Sequence, residues 1–215
     1  MTEQKLRYYL SSPRYNVYLA KTSNDFDKAC QLYKVNIELS EAFYPILSVL
    51  EVCLRNAVNE ALKTHFNDPY WFKNHLPPEF LPSVSEAIQK LTTQKRNITP
   101  DRIIAELNFG FWNRLFNRNY TGLLWKELRL IFKNTPKHLR QRDTIADVLY
   151  RIRTLRNRIY HYEPIFDNLQ DLDKQYNEMP GFLVWLDNDL PNLLSDIDRF
   201  NDILAKVKSI IGENK

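Results

Sequence analysis

The sequence predicts an all-α fold, and three observations carry that expectation. Apolar residues recur at steps of three and four along most of the chain, the spacing of a helix face. No segment alternates β-branched and polar residues as a half-buried strand would. Glycine is scarce, 4 of 215 residues, far below the usual share of about 7%. Hairpins, P-loops and dinucleotide-binding turns all need glycine for positive φ or close backbone approach, so those folds and the nucleotide chemistry they support are disfavoured.

The elements follow in chain order. Phe26, Cys30, Tyr33, Ile37, Ser40 and Tyr44 step by three or four residues and predict a helix. Pro45 begins a new helix or kinks the old one, and Leu47, Leu50, Leu54, Val58 and Ala61 make a second stripe. Four prolines in 67–82 read as a loop plugged by aromatics. A short helix over 83–93 follows, and Thr99-Pro100-Asp101 reads as an N-cap with proline at the first helical position, opening a helix to about Leu107. Phe109-Gly110-Phe111-Trp112 is expected to be an aromatic turn, and 123–132 another helix. A long helix over 138–162 turns Ile145, Leu149, Ile152, Leu155 and Ile159 inward and stops before Pro164, because the residue preceding a proline is pushed out of the α region. Leu190, Leu194, Ile197, Phe200, Leu204, Val207 and Ile211 share a final amphipathic stripe.

Composition narrows the function. At 215 residues with 44% hydrophobic and 26% charged side chains, the chain can bury a core and is expected to form one domain over 1–215. Cys30 and Cys53 lie 23 residues apart with no CxxC, so neither a zinc site nor a disulfide framework is expected. The N-terminus lacks a signal-peptide core, and no apolar run is long enough to span a membrane. A cytoplasmic protein with no metal and no cofactor is the expectation. The net charge of +4 is uneven: residues 113–158 hold twelve Lys and Arg against three acids, whereas 163–205 hold ten acids against two bases. That pattern fits either two solvated faces that offset each other or a basic surface for a polyanion.

One cluster suits chemistry. Asn157 and His161, four residues apart, sit about 40° apart around a helix, and Arg156 about 140° from His161. An imidazole moves protons near neutral pH, and a guanidinium clamps phosphate oxygens. A helix end that carries cations to match its macrodipole is the plainer reading of the same residues. His65, His75 and His138 have no catalytic-looking neighbours in sequence.

The stretch LRNRIYHYEPIF at 155–166 resembles the Arg-x4-6-His signature of HEPN domains, most closely their abortive-infection-like (Abi-like) branch, which acts in bacteriophage resistance. LYKVNIELSEAFYPILSVLEVCLRNAVNEAL at 32–62 is similar to that family's first helical pair, and ELNFGFWNRLF at 106–116 resembles its mid-domain aromatic turn. The resemblance is strongest over 30–165, with C-terminal helices over 166–211 packing on or extending a HEPN-like bundle. It implies a metal-independent endoribonuclease, usually a homodimer, that serves in anti-phage abortive infection or as the toxin of a toxin–antitoxin pair. Arg156, Asn157 and His161 inherit the catalytic motif. Arg151, Arg153 and Arg158 are then candidate RNA contacts. Glu51, Arg55 and Asn56 form a second LRN context: Glu51 and Arg55 read most simply as an i,i+4 ion pair, or else as a brace behind the site. The implied partners are RNA, a second copy and a cognate antitoxin, with no membrane. Some HEPN toxins carry a modified tyrosine two residues after the histidine; here that position is Glu163 and the tyrosine is Tyr162, so nucleotide transfer onto it is not expected. The alternatives are a catalytically inactive RNA-binding or dimerisation module of the same fold, and a purely structural helical protein.

Overall fold

The computed structural model describes residues 2–212, and among them every regular element is helical. In chain order these are α1 (Glu3–Leu10), α2 (Ser12–Lys21), α3 (Phe26–Ala42), α4 (Tyr44–Phe66), α5 (Trp71–Asn74), α6 (Leu81–Thr93), α7 (Pro100–Glu106), α8 (Phe109–Arg114), α9 (Lys126–Leu128), α10 (Arg142–Tyr160), α11 (Leu169–Leu186) and α12 (Phe200–Ile211). Short 3-10 and π turns join them. Side-chain caps start several helices: Asp25 accepts from the Lys28 amide at 3.0 Å, Thr99 from Arg102 at 3.4 Å and Asn108 from Phe111 at 3.0 Å. Each satisfies an amide that the first turn leaves without a partner. No helix among the described residues is long and apolar enough to cross a membrane.

The chain divides into two compact units. The first comprises residues 1–47, 155–177 and 194–215. Its core is aromatic: Tyr176 stacks on Phe200 with ring centroids 3.8 Å apart, and Phe43 meets both edge-on at 5.3 and 5.1 Å. The Tyr176 hydroxyl donates to Asp198 at 2.5 Å, and the same carboxylate accepts the Phe200 amide at 2.9 Å, which starts α12. Tyr18 lies between Tyr33 and Phe166. The second unit comprises residues 48–154 and 178–193. Trp71, Phe72, Phe80, Trp112, Phe116 and Phe132 are fully buried in it. Both buried indoles are satisfied, Trp71 by Asn59 Oδ1 at 2.9 Å and Trp112 by the Leu107 carbonyl at 3.2 Å.

The first stripe does form a helix, α3, which buries Ala29, Leu32, Val35, Asn36, Leu39 and Ala42 and leaves Ile37 exposed, and Tyr44, at the start of α4, is exposed too. Several expectations need correction. The proline-rich segment 67–82 contains α5 and the start of α6. The aromatic turn is the helix α8; its glycine serves space rather than turning, since a Cβ on Gly110 would stand 3.0 Å from the capping oxygen of Asn108. The helix expected over 123–132 is broken into a π turn, α9 and a 3-10 turn. The long helix begins at Arg142 rather than 138, because Arg140 donates to the Lys133 and Thr135 carbonyls at 2.7 and 2.9 Å and holds the preceding chain in a turn. The final stripe is interrupted: Leu190–Leu194 is a 3-10 turn, Ile197 is exposed, and α12 starts afresh beyond Asp198.

Candidate active site

The last turns of α10 carry Arg156 and Asn157, and His161 follows directly after its end, all within the first unit. The helix ends in a Schellman motif: the Tyr162 amide donates to the Ile159 carbonyl at 3.0 Å and the Glu163 amide to the Arg158 carbonyl at 3.0 Å. The residue at the left-handed position is Tyr162, with φ of 58°. Glycine is usual there, because a Cβ in this conformation costs roughly 1–2 kcal/mol. An ion pair between Arg158 and Glu163 at 3.5 Å stands where such motifs commonly place an apolar contact.

Two further contacts fix the chain after the histidine. Asn36, nearly fully buried on α3, donates Nδ2 to the Glu163 carbonyl at 3.4 Å and accepts the Ile165 amide on Oδ1 at 3.0 Å. Arg14 of α2 donates to the His161 carbonyl at 3.3 Å, filling a helix-end acceptor. Asn36 and Arg14 hold the candidate site's helix end, and sequence reasoning missed both. A polar residue inside a helical pattern reads as solvent-facing until its backbone partners are seen.

The His161 backbone remains in register, its amide donating to the Asn157 carbonyl at 2.9 Å. The histidine is exposed and Asn157 half-buried, on the same side of the helix end. Arg156 is half-buried, with its guanidinium carbon 4.2 Å from the centroid of the Tyr160 ring, a cation–π contact that limits where the charge can swing. An accessible imidazole beside an amide, with a guanidinium a turn away, can exchange a proton with a bound phosphodiester and meet its charge.

The candidate RNA contacts fare differently. Arg158 donates to Asp167 Oδ2 at 2.6 Å and also to the Pro164 carbonyl, so it braces the turn. Arg151 pairs with Glu178 at 2.8 Å within the second unit. Arg153 is exposed on α10. Glu51, Arg55 and Asn56 lie on α4 in the second unit. Within this group Arg55 Nε donates to Asn56 Oδ1 at 3.2 Å.

A groove of about 610 Å³ opens in the first unit along the end of α10. Ile37, Leu47 and Ile159 form apolar parts of its wall, and Tyr44, Tyr160 and Tyr162 also line it. His161 is thus flanked in the chain by two groove tyrosines. In the second unit a cleft of about 630 Å³ holds His65, whose Nδ1 lies 3.5 Å from Glu127 Oε1. His75 rests 3.2 Å from Asp68 and stacks on Phe66, and His138 is exposed. Among the described residues no group of three or more His, Cys, Asp or Glu side chains is placed to hold a metal ion.

Comparison with family models, with curated proteins and with solved structures finds no match to this chain.

Proposed function

We propose that this chain is a metal-independent endoribonuclease of the HEPN type, a helical bundle of that kind with added helices, acting in the cytoplasm as a homodimer. Its role is anti-phage abortive infection or that of a toxin held by an antitoxin. The observation that carries this reading is the exposed His161 just past the end of α10, one turn beyond Asn157 and five residues after Arg156, in a segment that resembles the family's catalytic motif.

RNA supplies the nucleophile. A base takes the proton of the 2′-OH, the oxygen attacks the adjacent phosphorus, and an acid protonates the departing 5′-oxygen. The products are a 2′,3′-cyclic phosphate and a 5′-hydroxyl. His161 is the proton-transfer group, and in a dimer its two copies divide the roles of base and acid. Arg156 stabilises the charge on the pentacoordinate phosphorane. Asn157 orients the imidazole or holds a phosphate oxygen. The second reading, an inactive RNA-binding or dimerisation module, is favoured by one observation: Arg151 and Arg158 already meet carboxylates of their own chain.

The test is the initial rate of cleavage of a fluorescent RNA in EDTA, with a thermal melt for each variant. His161→Ala is expected to lose about 10²–10⁴-fold in rate with a melt near wild type, since exposed positions contribute little to stability. Arg156→Ala should lose comparably and Asn157→Ala less. Wild-type protein that cleaves only after Mg²⁺ or Mn²⁺ is added, or a His161→Ala variant retaining more than about a tenth of the rate, rejects the mechanism.

A further inference from the structure

The groove at the end of α10 is lined by three exposed tyrosines. Tyr162 is 77% exposed, Tyr44 64% and Tyr160 48%. Tyr162 also holds the left-handed backbone conformation, φ 58°, the one position in this helix end where glycine would be free of strain. A bulky residue there costs stability, and burial does not return it. Strain of that kind gathers at functional sites.

The rest of the lining narrows what the ring faces. Ile37, Leu47 and Ile159 give apolar wall, and Glu41 and Arg199 bring one charge of each sign. The groove therefore has no net charge to draw a lipid surface or a polyanion. It suits a flat, neutral, aromatic group whose edge both donates and accepts hydrogen bonds. Its volume of about 610 Å³ falls within the usual range for small-ligand sites. Tyr160 and Tyr162 line the groove and are the chain neighbours of His161, which does not line it itself, so the groove lies along the same helix end.

We infer that Tyr44, Tyr160 and Tyr162 form a stacking platform for a nucleobase of single-stranded RNA, the base that flanks the phosphate presented to His161. The identity of the occupant rests on the ribonuclease reading. Bases stack on aromatic side chains whatever their sequence, because every base has a π-face. Arg156, over the Tyr160 ring, ties the platform to the residue that meets the phosphate. Tyr160 and Tyr162 are on this account positioning residues: they hold the base so that its phosphodiester reaches the imidazole.

The experiment separates binding from cleavage. A fluorescein-labelled single-stranded RNA with 2′-O-methyl groups throughout lacks the nucleophile and cannot be cut by 2′-OH attack. Its affinity for the full chain is read by anisotropy, alongside an otherwise identical oligonucleotide with abasic sites. Tyr162→Gly removes the ring at a position where glycine accepts the backbone angle, and Tyr44→Ala removes a second ring. Each should weaken binding of the intact oligonucleotide by roughly 5- to 100-fold, while Tyr162→Phe stays close to wild type. The abasic oligonucleotide should bind wild type weakly and ignore both substitutions. Three outcomes overturn the inference: no binding by wild type, unchanged affinity in folded ring-free variants, or a change in oligomeric state by sedimentation with RNA affinity unaltered, which assigns the groove to a second copy. Cleavage of unmodified RNA is scored separately. Tyrosine-dependent binding without cleavage removes the nuclease and keeps the platform; cleavage with tyrosine-independent binding removes only the platform.

Discussion

A single buried amide determines where the chain goes after His161. Asn36 contacts both the Glu163 carbonyl and the Ile165 amide, and with the side chain removed that amide is left buried without a partner. Asn36→Ala should therefore cost about 1–3 kcal/mol, which for a chain of this length lowers the melting temperature by roughly 2–10 °C. Cleavage should fall too, because Pro164 and its neighbours no longer hold the helix end. A melt and an initial-rate assay on the same preparation check both. The candidate set Arg156, Asn157 and His161 drew notice in the sequence through residue type and spacing. Asn36 did not, because its role depends on backbone groups more than a hundred residues away. The exposure of Tyr44 and Ile37 was not legible for a related reason. They belong to a regular apolar stripe, and periodicity cannot say whether such a stripe meets the core or borders a groove.

At the scale of elements, what the sequence signalled best was where helices begin. Thr99-Pro100 opens α7 as expected, with the side chain capping the turn. What it signalled poorly was where local hydrogen bonding outcompetes helix, as at Arg140 before α10 and Asp198 before α12. The connection between α4 and α5 gives a pH-dependent case. Asp68 accepts from the Asn74 side chain at 2.9 Å and the Tyr70 amide at 2.7 Å, and His75 lies 3.2 Å away. The Asn74 hydrogen bond first, and the Tyr70 amide next, hold the carboxyl below its ordinary 3.8. A carboxyl lowered on folding contributes stability that is present above the ordinary value and lost as pH falls through the lowered one. The melting-temperature gap between wild type and Asp68→Asn should be constant above pH ~5 and shrink below pH ~4, as melts across that range would register.

For the molecule as a whole, the proposed cleavage moves two protons and each chain offers it one His161. A dimer is the expected working form, with mass by light scattering at micromolar concentration as the check; a monomer with and without RNA contradicts it. The charge segregation seen in the sequence resolves partly into pairs, Arg151 with Glu178 in one unit and Arg158 with Asp167 in the other. Exposed pairs of this kind contribute little individually, so they do not bar a phosphate from taking their place. The helical class was legible from periodicity and glycine content, whereas the division into two units was not, because each unit is assembled from segments far apart in sequence.

That discontinuity sets an order of events during synthesis. Residues 1–47 emerge first, yet their unit is finished only by 155–177 and 194–212, more than a hundred residues later. At 5–20 residues per second the wait for Leu155 alone is roughly 5–20 s. Phe43 has neither Tyr176 nor Phe200 to meet in that interval, and the groove lacks Arg199. Ribosome-bound chains exposed through residue 193 should leave α1–α3 open to protease, and chains exposed through 212 should protect them. On the ribonuclease reading, a chain built in this order stays unarmed beside the ribosome and the message being translated until α12 is out.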